Sequence, residues 1–288
     1  MITQHNQRVF YSDNGVLQDI TLKVNPFREY SFDIGGYVAG EDYIYIGSDL
    51  PFSQKFIDII TPNTNSAAIN VELWDGNSWQ QVVDILDETA NGVVSFAKDG
   101  IVSWKTKKNE PGWSNESESS DIPELSTTVI YCFYWLRIEF DADLSSGTTI
   151  NHVGYKFSDD DQLYSQYPDL KNTQMLDCFE PTEPSGTKLD WDEQSLVAAQ
   201  QLTNQMRTSG ITWSPAQIVD FEILQEASVH KTAEIIYSAM GTAYEDNRKL
   251  AQEKFSKAFS MKKFNIDRNQ NARLDEGERI VSTAFLSR

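Results

Sequence analysis

Cysteine is nearly absent from this 288-residue chain: Cys132 sits in an aromatic run and Cys178 in a proline-rich stretch. Two thiols so placed make neither a disulfide framework nor a Cys-x-x-Cys metal clip, and a reducing compartment is their natural setting. Histidine is as sparse, with His5, His152 and His230 scattered along the whole chain, so they argue for no histidine-based site. Long apolar runs are missing. The longest, Val129 to Leu136, falls far short of the ~20 residues that a membrane-spanning helix needs. Met1-Ile2-Thr3-Gln4-His5 opens no basic-then-apolar signal, and the expectation is a soluble protein, made where it works, with no membrane partner. Positive charge is short as well: 24 Lys and Arg face 43 Asp and Glu, a formal net charge of −19. Tight wrapping of nucleic acid needs clustered basic residues and is disfavoured, whereas acidic walls that DNA slides past stay compatible. The chain has no Gly-x-x-x-x-Gly-Lys-Ser/Thr phosphate loop, no Gly-x-Gly-x-x-Gly, no Gly-x-Ser-x-Gly elbow and no His-Glu-x-x-His. Catalysis has no address in the sequence, and a protein that is not an enzyme is expected. Carboxylates such as Asp58, Glu72, Asp75, Asp84 and Asp87 carry no weight as a glycosidase pair, since 43 acids make chance pairs common.

What the chain does contain is enough apolar surface for a real core, with 40% hydrophobic and 12% aromatic residues. The first half reads as short alternating segments. Ile69, Val71 and Leu73 fall on one face of a strand, and Asn70 and Glu72 on the other. Tyr43 to Ile46, Phe56 to Ile60, Trp79 to Ile85 and Leu136 to Phe140 follow the same logic, bounded by Gly, Pro, Asn or Asp. Asp75-Gly76-Asn77, between Trp74 and Trp79, is a hairpin signal because Asp-Gly supplies the positive φ of a tight turn. Short strands without an intervening helical period predict an antiparallel β-sandwich, jelly-roll-like, over residues 1–158. The polar stretch from Lys105 to Thr128 is too long for a plain hairpin loop and reads as a surface loop and contact arm.

From Asp159 to Gly186 the composition turns to charge and proline, and residues 159–187 read as a linker. Beyond it the period becomes helical, predicting a helical bundle over 188–288. Asp190 and Glu193 suggest a capping box, followed by Leu196, Ala199, Leu202 and Met206 until Gly210. Ser214-Pro215-Ala216-Gln217 signals a second helix reaching Gly241, with Ala227, Ser228, Thr232 and Ala233 small enough for close helix contacts. A third runs from about Ala243 and buries Tyr244, Ala251, Phe255 and Phe259.

The sharpest local signal lies near the end. Counting Asp267 as position one, Asn269, Asn271 and Asp275 place oxygens at three, five and nine, the Arg273 carbonyl falls at seven and Glu278 at twelve, the spacing of an EF-hand loop. These residues are the candidate ligands of a structural calcium ion, holding a last helix that contains Val281, Phe285 and Leu286. Position six is Ala272 where glycine normally makes the turn, which weakens affinity. The competing reading is a hydrogen-bonded turn without an ion.

Tryptophans 74, 79, 104, 113 and 135 all fall in the β half. They either fill its core, the commoner use, or stack on sugars from a solvent-facing row. Exposure decides between the two.

The string Tyr43 to Phe52, then Glu72 to Trp79, Asp84 to Thr89, Gly100 to Trp104, Gly112-Trp113 and Tyr134 to Ile138 resembles β-sandwich domains of tailed-bacteriophage virion proteins. The helical half, with its order of helices and the segment from Ile266 to Glu278, resembles head-to-tail adaptor proteins of phage necks. The resemblance implies a virion structural protein made in the bacterial host cytoplasm. Its subunits would form a homo-oligomeric, dodecameric ring below the portal and touch the portal and other neck or tail proteins, with viral DNA met only in passage. A carbohydrate-binding or fibre-attachment module of a baseplate or tail host-recognition protein is the alternative.

Overall fold

The computed structural model describes residues 7–82, 84–104, 113–179, 188–212, 214–219, 221–260, 263–267 and 279–282. Antiparallel β-sheets occupy the N-terminal half and helices the C-terminal half. The chain divides into two compact units, one of Met1–Gly154 with Asp267–Arg273 and the other of Tyr155–Ile266 with Leu274–Arg288. Among the described residues, no helix is long and apolar enough to cross a membrane.

The first unit contains β1 (Gln7–Asp13), β2 (Val16–Asp19), α1 (Thr21–Val24), β3 (Phe32–Asp33), β4 (Tyr43–Ser48), β5 (Gln54–Thr61) and β6 (Ile69–Trp74). It continues with β7 (Trp79–Gln81), β8 (Ile85–Asp87), β9 (Gly100–Trp104), β10 (Asn115–Glu118), β11 (Tyr131–Phe140) and β12 (Thr149–Gly154). One sheet has the order β2-β1-β4-β11-β6-β7, with β10 also pairing β11, and the other β3-β12-β5-β9-β8. Alternation in β11 explains its place. Leu136 lies opposite Ile46 and Leu73, and Ile138 opposite Ile44 and Val71, all buried, while Arg137 and Glu139 take the other face.

Two strand expectations change. The run from Trp79 to Ile85 is not one strand: β7 belongs to the first sheet and β8 to the second. Period alone does not say which sheet a residue joins. In β5 both faces are covered, with Phe56, Ile57 and Asp58 each 1% exposed. The Asp58 carboxylate tolerates this because Arg28 and Asn151 donate to it. The Asp75-Gly76 turn is as expected, closed by the pairing of Trp74 with Trp79 and with Gly76 at φ 97°.

The second unit holds α2 (Asp160–Gln166), α3 (Thr173–Leu176), α4 (Asp192–Thr208), α5 (Glu222–Ala239), α6 (Glu245–Ser260), β13 (Lys263–Asn265) and β14 (Arg279–Ser282). Residues 159–179 are therefore not a linker. Asp159 and Gln162 form a true capping box on α2. Leu163, Tyr167, Leu170, Met175 and Leu176 join Trp191, Val229, Ile236 and Tyr237 in one core cluster. Short one-turn elements left too little period to be read as helix. The expected box at the head of α4 is absent: Trp191 is the N-cap and Asp190 Oδ1 accepts from the Asp192 amide instead. Gly210 does close α4, at φ 69°, with its own amide bonded to Arg207 and that of Ile211 to Met206, a Schellman ending. The signal at Ser214 yields only a single 3-10 turn over Pro215–Gln217, and α5 starts later, at Glu222. Ala227, Ser228, Thr232 and Ala233 are all buried, because α5 neighbours both α4 and α6. Tyr244 is half-buried and stacks on Tyr237 at 6.0 Å.

Candidate functional site

Of the predicted calcium ligands, Asp267 is described and buried, directly after Ile266, which bridges to Ile218. Asn269, Asn271, Arg273, Asp275 and Glu278 lie outside the described residues. The predicted last helix needs correction at Val281, which lies in β14 paired with Phe264 of β13. An EF-hand loop joins two helices, whereas the segment here is bracketed by an antiparallel strand pair.

The tryptophans sort by exposure. Trp74, Trp104, Trp113 and Trp135 are 1–7% exposed and Trp79 is half-buried, so they form no solvent-facing row. Trp104 and Trp113 gather around Phe52, with centroids 5.7 and 4.7 Å from its ring. Lys55 lies over the same ring at 4.3 Å and donates to Gln7 Oε1 at 2.5 Å. Burial drives the Lys55 ammonium well below its ordinary pKa, against the pull of Asp49.

The other three build a continuous aromatic face on the first sheet. Cross-strand register puts Phe10 opposite Tyr45, Tyr45 opposite Arg137 and Trp74 opposite Trp79. Trp135 lies opposite Gly47, and the glycine is the reason it fits: a Cβ there would fall 2.7 Å from the Trp135 ring and 2.9 Å from Phe133. Arg137 donates to Glu72 at 2.5 Å and lies 4.6 Å over Tyr43 and 5.0 Å over Trp79, which satisfies its charge on both sides.

Residues 113–128, expected as part of an exposed arm, instead roof this face. Ile122 and Leu125, both 0% exposed, pack with Phe10, Tyr45, Trp74 and Trp135. The Ser119 amide bonds to the Ile130 carbonyl at 2.8 Å, and Trp74 Nε1 donates to Glu116 at 2.5 Å. The spacing Ile122-x-x-Leu125 inside a polar stretch was the available signal. Leu125→Ala is expected to cost about 2–5 kcal/mol and to shift tryptophan emission to the red, as measured by denaturation and fluorescence.

His152 is the one histidine of the first unit among the described residues, and it is buried. It lies edge-on to Phe27 at 5.6 Å, and a Cβ on Gly154 would fall 2.3 Å from its Nε2, so strand β12 leaves it just enough room. Burial lowers its pKa to about 4, with Asp58 opposing. The unfolded chain takes up the proton near pH 6.5 and the folded chain does not, so this contribution is complete above that value and lost as pH falls toward 4. At about 1.4 kcal/mol per pH step it amounts to about 3 kcal/mol, and His152→Leu is expected to remove that part of the acid sensitivity in denaturation curves at the two pH values.

In the second unit Lys156 is buried and paired with Asp192 through Nζ and Oδ1. Burial works against the ammonium, but Asp192, Asp160 and Asp190 outweigh it and hold its pKa above the ordinary value. One cation faces three carboxylates. Burial raises Asp192 to about 7 and Asp160 in the same direction, and Asp160 is further held by donations from the Trp191 amide and Tyr164 hydroxyl, both at 3.0 Å. Nothing in the sequence marks Lys156 apart from other lysines.

No protein-family model and no curated protein matches the chain. Among solved structures, CpGH89CBM32-6 produced by Clostridium perfringens overlaps it at 11% identity and a TM-score of 0.26, over 52% of this chain and 92% of that one. An overlap that slight carries no argument.

Proposed function

We propose that the chain is a structural protein of a tailed-phage virion, a head-to-tail adaptor or neck connector subunit that forms a ring below the portal. In this reading the two sheets are layers of a sandwich that serves as a decoration or docking platform, and helices α2 to α6 are the bundle that builds the ring. The burial of the tryptophans carries it: rings that stack on sugar have to face solvent, and these are spent on the interior of the first unit. The likeness of residues 40–140 to virion β-sandwich domains supports it further. The net charge of −19 suits a channel wall that must not hold DNA, since like charge repels phosphate over about 10 Å at 0.1 M salt. Its partners are further copies of itself in a dodecamer, the portal, and other neck or tail proteins, and the role needs no catalysis.

The test is the mass of the purified chain, alone and with portal particles, with a label on the N-terminal half in intact virions. A ring that orders on the portal is expected. A monomer with glycan affinity, or label density at the capsid lattice or tail tip, would overturn the proposal.

A further inference from the structure

Two Asn-Gly pairs lie on exposed two-residue turns of the first unit, and their backbones differ. Asn14-Gly15 joins β1 to β2, with Asp13 paired to Val16 and both turn residues at positive φ, 46° and 78°, a type I′ turn. In the second pair Asn91 exchanges both backbone hydrogen bonds with Val94, at 2.9 and 3.3 Å. The central residues there are Gly92, at φ 65°, and Val93, which makes it a type II′ turn with glycine in the first central place. Asn91 is thus the last extended residue before the turn, whereas Asn14 is itself left-handed. Both side chains are exposed.

We infer that Asn91 is a site of spontaneous deamidation and that Asn14, in the same dipeptide, is protected by its turn. The following glycine nitrogen, losing its proton to solvent base, attacks the side-chain carbon Cγ. The new N–C bond closes a five-membered succinimide, and the side-chain amide leaves as ammonia. Water then opens the ring at Cγ to give aspartate, or at the main-chain carbonyl to give isoaspartate. Ring closure requires the asparagine ψ to swing to the side opposite that of a left-handed residue. Asn14 faces the longer swing, and its own amide is tied to Asp42 Oδ1 at 2.8 Å. Neither Gly15 nor Gly92 has anything within 4 Å of where a Cβ would be, so open space around the attacking nitrogen is common to both pairs and the backbone conformation of the asparagine separates them. The acidic counterparts are pinned: Asp75 Oδ1 accepts from the Asn77 and Ser78 amides at 2.9 and 2.8 Å, and Asp99 Oδ1 from that of Ile59 at 2.5 Å.

The consequence is local. Aspartate at 91 adds negative charge, and isoaspartate adds a backbone atom to the turn whose Val94 also bridges to Ala67. The experiment is incubation of the full chain at mildly alkaline pH, in buffer and in denaturant, with peptide mapping by mass spectrometry for the amide-to-acid conversion. In the folded chain Asn91 is expected to convert roughly tenfold faster than Asn14, a barrier difference of about 1.4 kcal/mol, and in denaturant the two rates converge. Equal rates in the folded chain, faster conversion at Asn14, or conversion of neither until denaturant is added would each overturn the inference.

Discussion

Replacing Lys156 with methionine is expected to destabilise the second unit by about 3–5 kcal/mol, the cost of leaving a buried carboxylate without its cation. The side chain would still fill its space, so the loss is electrostatic and not a cavity. Asp192, Asp160 and Asp190 would then repel one another without the Lys156 ammonium that lowers the first two. The sign with pH follows. Asp192 already sits near pH 7 in the intact protein, and without the ammonium it binds a proton more tightly still. Above pH 7 the folded variant therefore holds a proton that neither the intact protein nor the unfolded chain holds, so the deficit shrinks as pH falls from 9 toward 7 and levels off once the intact protein takes up the same proton. Chemical denaturation across that range checks both points. The double variant Lys156→Met with Asp192→Leu is expected to recover most of the loss, because an apolar pair of similar volume replaces the buried ions. A deficit that stays constant with pH would show that packing, and not charge, is what Lys156 supplies.

Trp135→Ala is expected to cost the first unit about 3–5 kcal/mol, since the ring is 1% exposed and packs in one cluster with Ile122 and Leu125 of the roof. Gly47→Ala alone is expected to cost about 1–3 kcal/mol by overpacking, its Cβ arriving 2.7 Å from the indole. The two should not add. With the indole gone, the methyl at 47 enters vacated space, so the double variant is expected to be less destabilised than the sum by about 1 kcal/mol or more. A thermodynamic cycle from denaturation curves of the four proteins measures this coupling, and simple additivity would mean that the strand relaxes away from the clash.

The division of labour between sequence and fold runs along the range of the interactions involved. Period two over Ile69 to Leu73 and period 3.6 over Leu196 to Met206 are local, and both produced the element they announce. So did Asp75-Gly76 and Gly210, because a positive φ is a demand on one residue. The Ser214 signal failed as a helix start because a cap and a proline suit one 3-10 turn as well as a long helix. Residues 159–179 show no helical period in the sequence, since one-turn elements owe their stability to tertiary burial around Trp191, which no local pattern announces.

By itself, then, the sequence determined the class of each half, its net charge, and the lack of any apolar span of membrane length. The register that lays Trp135 over Gly47, the folding of 113–128 onto the aromatic face, and the gathering of three carboxylates around Lys156 were decided only in three dimensions. Each joins residues from separate elements, and a one-dimensional pattern constrains what a residue needs, such as burial or a counter-charge, without naming the partner that meets the need.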